Sequence, residues 1–165
     1  MTNDMKKVLI ALDYDPSSIE VAEKGHALAQ MMGAEVLLIH VLSQPVYYSS
    51  VDYPPIMSFN ISMNMDAYQT ATVPGLKKAA LHFLDRTKDK LHDDKIKTLL
   101  LEGDTADSIM EFAKKMNVDI IVLGTHSRKW FENILLGSVA ESVLKQSTIP
   151  LFIVPIRNKE KHRIN

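Results

Sequence analysis

Four residues of this chain, Asp13, Gly124, Gly137 and Ser138, are of types that could do chemistry, and the spacing of the two glycines suggests a ligand. Asp119 to Leu123 is a short apolar run rich in β-branched residues that ends at Gly124, the pattern of a buried parallel strand. Gly137-Ser138 then opens a helix with Ala140, Val143 and Leu144 at helical spacing; Glu141 in its first turn and Lys145 near its end both suit the macrodipole. Beyond the end of such a strand, a helix N-terminus aims unpaired backbone N–H groups at one point, and an anion is their natural occupant. Gly137 would let a phosphate come close to the backbone, while the Ser138 hydroxyl and the N–H groups of Ser138 and Val139 donate to it. A glycine and serine at a helix start are also ordinary capping residues, so spacing alone leaves both readings open.

Asp13 closes a second apolar run, Lys6 to Asp13, at a position where a carboxylate can accept hydrogen bonds from a ribose or an adenine amino group. The alternative is an Asx-type turn ahead of Pro16. Asp15 could join it near a magnesium ion, but helix capping is the better reading of Asp15. His40 reads as a satisfied, partly buried histidine. His126 and Glu132 are the imidazole and carboxylate nearest the glycines, and neither has a partner by spacing; the residues speak for binding, not turnover. Neither a P-loop nor a G-x-G-x-x-G is present, which removes phosphoryl-transfer NTPase and dinucleotide dehydrogenase readings.

The elements that must position these residues alternate. A strand over Lys6 to Asp13 is followed by a helix from Pro16-Ser17 with Val21, Gly25, Leu28 and Met32 on one face. Gly33 ends that helix, and Ala34 to Leu42 is the second strand, which makes a right-handed βαβ unit. Pro74 to His92 is an amphipathic helix burying Leu76, Ala80, Phe83, Leu84 and Leu91; its lysines and arginine form a solvated face. Ile96 to Leu101 is the third strand, and Thr105 to Met116 a helix with Ile109, Phe112, Ala113 and Met116 inward. Leu151 to Ile156 is an apolar strand at the edge of the sheet.

At Gly124, Ser127, Gly137 and Ser138 the chain resembles the universal stress protein family, whose ATP-binding branch carries G-x-x-G-x(9)-G-[ST] between its fourth strand and last helix. Leu135 to Pro155 is similar to the family's ending, and the resemblance spans nearly the whole chain. Ser127 departs from the pattern, standing where the second glycine of the signature falls. The resemblance implies an α/β fold: one open five-stranded parallel sheet, order 3-2-1-4-5, with helices on both faces, Rossmann-like and similar to the adenine nucleotide alpha-hydrolases. It implies binding of ATP or AMP, with magnesium entering only through the nucleotide phosphates. The site implied comprises Ala11, Asp13, Val41, Leu123, Gly124, Ser127, Arg128, Gly137, Ser138 and Val139, with Val41 contacting adenine through its backbone. It also implies a homodimer through Leu151 to Ile156, with Phe152 and Val154 as contacts, acting in stress response with a protein partner yet unknown. The rival reading is a nucleotide-free dimeric interaction protein of the same fold, its crevice blocked by Ser127 and the long loop.

Composition narrows the rest. One domain over residues 1–165 is enough to bury a core unaided. A hydrophobic content of 46% with a net charge of −1 gives no electrostatic case for nucleic acid. With no cysteine, disulfides, thiolate metal sites and cysteine nucleophiles are excluded. No apolar run suits a membrane span and the start is no signal peptide, so a cytoplasmic location is expected. Residues 43–73, rich in tyrosine, proline and methionine, are expected to form a long loop serving as lid, interface or disordered segment, and 157–165 a frayed tail.

Overall fold

The computed structural model describes residues 5–43, 73–126 and 136–156. The loop expected over 43–73, apart from its two end residues, the tail 157–165, and the site candidates Ser127 and Arg128 lie outside the described residues. In chain order the elements are β1 (Lys7–Ala11), α1 (Ser18–Met32), β2 (Glu35–Leu42), α2 (Val73–Leu91), β3 (Lys97–Glu102), α3 (Thr105–Lys115), β4 (Ile120–His126), α4 (Ser138–Gln146) and β5 (Leu151–Ile156). The strands form one parallel sheet in the order β3-β2-β1-β4-β5, as the resemblance implies.

Strand alternation divides the core in two. Val8, Ile10, Val36, Leu38, Val122, Val154 and Ile156 point to the face covered by α1 and α2, where they meet Val21, Ala22, Ala29, Phe83 and Leu84. Leu9, Leu37, Ile39, Val41, Ile121 and Leu123 point to the other face, against Ile109, Met110 and Ala113 of α3 and Ala140 and Val143 of α4. Helices on both faces leave no polar side on the inner strands, which explains their continuous apolar runs. Burying each such side chain stabilises the fold by about 1.5–3 kcal/mol before entropy is counted.

The helix ends follow local chemistry. Gly33 takes φ 62°, and its N–H and that of Ala34 return to carbonyls of the last turn of α1. Asp104 caps α3 by accepting the Asp107 N–H at 3.0 Å. Asp15 accepts the Ser17 N–H at 2.8 Å and the Ser17 hydroxyl, an Asx-type turn ahead of α1; the N-cap is Ser17, so Asp15 is not the helix cap that was expected.

Two further expectations are corrected. Leu144 is 53% exposed: the buried stripe of α4 is narrow, made by Ala140 and Val143, and the next residue turns outward. Val154 was expected at a dimer contact, but strand alternation sends its side chain into the α1 face of this chain's own core, where it is buried. Phe152, on the same strand, is 39% exposed.

Candidate functional site

The sheet order puts a reversal of strand order between β1 and β4. From β1 the chain winds to β2 and β3 on one side; β4 and β5 lie on the other. Ala11 at the end of β1 is in register with Ile39 of β2 and Leu123 of β4, so the carboxyl ends of all three strands share one sheet edge. Asp13 lies exposed two residues past Ala11, Val41 is buried near the end of β2, and Gly124 follows Leu123 in β4. A crevice at such a reversal is the usual ligand position in open α/β sheets. Asp13, Val41, Leu123 and Gly124 are therefore gathered at that edge, as the sheet order implied by the resemblance requires.

The two glycines of the motif differ in kind. A Cβ on Gly124 would lie 2.7 Å from Val21 Cγ2 and 2.8 Å from Ile156 Cδ1, so the absence of a side chain there is explained by α1 and β5 packing against the strand. Any ligand contact at Gly124 would be made by backbone. Gly137 caps α4 at φ −57° and ψ 157°, a conformation open to any residue, and a Cβ there would meet nothing within 4 Å among the described residues. As a glycine, the N-cap brings no side chain to the first N–H groups of α4. Ser138 is exposed and Val139 half-buried at this open N-terminus, with Glu141 in the first turn.

Sequence reasoning missed Thr125. Its side chain alternates away from Gly124 toward the α4 face, is buried, and its hydroxyl accepts the Gly137 N–H at 3.4 Å. Thr125 thus makes a long hydrogen bond between the end of β4 and the start of α4. The signal was present, since strand alternation after Gly124 sends a hydroxyl toward the next helix.

On the other face of the sheet, His40 donates from Nδ1 to the Leu12 carbonyl at 2.7 Å. Burial pulls its pKa below the usual 6.5, against the opposing effects of that hydrogen bond and the Asp13 charge. It is the satisfied core histidine that the sequence suggests. The Tyr14 ring packs 5.0 Å from Phe83 and 6.2 Å from His40, and burial raises the Tyr14 pKa while the Arg86 charge lowers it. Among the described residues no three His, Cys, Asp or Glu side chains converge on a point that could hold a metal ion, and no helix is long and apolar enough to cross a membrane.

The chain is similar to known proteins along almost its whole length. A profile of the Universal stress protein family matches residues 5–155. Universal stress protein MJ0531 of Methanocaldococcus jannaschii is 34% identical over 161 residues, covering 96% of this chain and 86% of that protein. Among solved structures, MJ0577 superposes with a TM-score of 0.66 at 26% identity, covering 93% of this chain and 97% of the other. A universal stress protein solved in complex with cAMP shares the fold with a TM-score of 0.61 at 18% identity, covering 92% of this chain and 98% of its own. With a profile match from Met5 to Pro155 and one parallel sheet in the order β3-β2-β1-β4-β5, this chain belongs to the universal stress protein family.

Proposed function

We propose that this chain binds ATP or a related adenine nucleotide at the carboxyl edge of β1, β2 and β4. The observation that carries the reading is the N-terminus of α4: its N-cap, Gly137, has no conformational reason to be glycine and, among the described residues, no packing reason, and it offers no capping side chain of its own. A phosphate seated there would account for both features, accepting from the N–H groups of Ser138 and Val139 and from the Ser138 hydroxyl. In this reading Asp13 accepts from the ribose or the adenine amino group. The backbones of Ala11, Val41, Leu123 and Gly124 line the base and sugar, and Ser127 and Arg128 add donors to the phosphates. Magnesium would enter only with the phosphates. That a protein of this fold was solved with cAMP supports an adenine nucleotide as the ligand class.

The proposed chemistry is retention of the nucleotide, with the bound and free chains acting differently on a protein partner. The working unit is a homodimer paired along β5. That strand is the last in the sheet, has hydrogen bonds to β4 on one side, and carries the exposed Phe152. An unprotected apolar edge favours pairing with a second copy.

The test is the identity of small molecules released when freshly purified chain is denatured, read by mass spectrometry and ultraviolet absorbance. Near-stoichiometric ATP or AMP is the expected result. No release, together with no thermal shift on adding ATP and magnesium, would overturn the reading in favour of the nucleotide-free interaction protein.

A further inference from the structure

A cavity of about 50 Å³ opens between the start of α1 and the middle of α2, on the sheet face away from α4. His82, Arg86 and Lys90 line it from α2 at four-residue spacing, which stacks them along one stripe of the helix. Phe83 and Ile19 supply apolar walls, and Tyr14, held against the Phe83 ring, closes one side.

The charges here are poorly compensated. Among the described residues neither Arg86 nor Lys90 forms an ion pair, whereas Lys77, Lys97 and Lys145 each meet a glutamate. Asp15 is the acidic residue of the lining, and its carboxylate is engaged by the N–H and hydroxyl of Ser17. The Ser18 and Thr87 hydroxyls donate to the Asp15 and Phe83 carbonyls at 2.6 and 2.9 Å. Arg86 lies close enough to Tyr14 for its charge to act on the phenol. The lining therefore presents two cations and a histidine over an apolar floor.

Size selects the occupant. One water needs roughly 10–15 Å³ of such volume, so the cavity has room for about four, the bulk of a tetrahedral oxyanion. An arginine fork beside a lysine suits a phosphoryl group in shape and charge. We infer that the α1–α2 cavity binds a phosphate-sized oxyanion through Arg86 and Lys90, with His82 at its rim, either as free phosphate or as the phosphoryl end of a larger molecule. This site is independent of the nucleotide reading, although Tyr14 follows Asp13 directly and the two sites share the β1–α1 loop.

The test is amide NMR of the full chain titrated with inorganic phosphate, and separately with glycerol phosphate, against sodium chloride of equal ionic strength. The Gly137→Val chain is run in parallel so that any phosphate at the start of α4 is distinguished. Saturable shifts across Tyr14 to Ile19 and His82 to Lys90 are expected in both chains. Tighter binding of glycerol phosphate assigns the cavity to a larger phosphoryl ligand; equal or weaker binding assigns it to free phosphate. Arg86→Gln with Lys90→Gln removes two exposed side chains, so the fold should persist, and affinity should fall about tenfold or more. The inference is overturned if shifts do not saturate, if they are confined to Ser138 and Val139, or if the double variant binds phosphate as well as the parent.

Discussion

Replacing Gly137 with valine separates binding from folding in this chain. At φ −57° and ψ 157° valine is unstrained, and the first added carbon meets nothing within 4 Å among the described residues. Losing glycine as an N-cap costs about 0.5–1 kcal/mol, and restricting the unfolded chain returns about 0.4–1 kcal/mol, so stability should stay within about half a kilocalorie per mole. For a domain of this length that is a shift in Tm of about 2 °C or less. The same side chain would stand where a phosphate must approach the N–H groups of Ser138 and Val139. Loss of two charge-assisted hydrogen bonds at about 1.5–3 kcal/mol each weakens nucleotide binding by about 10² to 10⁴-fold. Isothermal titration with ATP and magnesium reads the affinity, and a thermal melt without nucleotide reads the fold. An unchanged affinity in a chain that melts normally would refute the assignment of phosphate to the start of α4.

Gly124→Ala should do the opposite, destabilising the nucleotide-free chain by about 1–3 kcal/mol through contact with Val21 and Ile156, as measured by urea unfolding. His40 has a folded pKa below 6.5, so the unfolded chain binds more protons and stability should fall as pH drops below about 6.5 toward the folded value; urea midpoints across that range in His40→Leu should show a shallower slope. Asp93 is held below its usual pKa of 3.8, first by the hydrogen bond from His26 at 2.8 Å and then by the Lys95 N–H. Its contribution is present above pH 3.8 and lost as pH falls through the lower folded value, so Asp93→Asn should be less stable than the parent at pH 6 and approach it in strong acid. Phe152→Glu should leave the monomer fold intact and shift sedimentation velocity from dimer to monomer; an unaltered dimer would move the interface away from β5.

The alternation of strands and helices was legible because each element carries its own period. The inward sets of the helix starting at Val73 and of the one starting at Thr105 follow from 3.6-residue spacing, and the apolar strands declare burial on both faces. Sheet order was legible only through the resemblance, since periodicity does not say which strands are neighbours. Side-chain direction at the margins was not legible either. Whether Leu144 faces in depends on the width of the stripe that α4 buries, and the inward turn of Val154 depends on its register with Gly124.

The glycines of the motif mark where sequence reading and structure part. The family resemblance puts Gly124 and Gly137 in one nucleotide-binding motif, while spacing alone leaves capping and phosphate binding both open at Gly137. In the fold, Gly124 faces Val21 and Ile156, residues far from it in the chain, and its lack of a side chain lets α1 and β5 close over β4. At a helix start, a Cβ on Gly137 would meet nothing within 4 Å among the described residues. The consequence bears on Ser127, the position at which this chain departs from the family pattern. If packing alone governed the motif, every glycine in it would be dictated by a neighbouring side chain, yet among the described residues none dictates Gly137. In the proposed function a nucleotide phosphate at the start of α4 is what calls for glycine there, since it fits the position and the polarity of the N–H groups. Ser127→Gly therefore bears on binding directly. If the Ser127 hydroxyl donates to the phosphates, its removal weakens ATP by about tenfold; if the side chain obstructs them, affinity rises instead, and titration of the two chains decides between a donor and an obstruction.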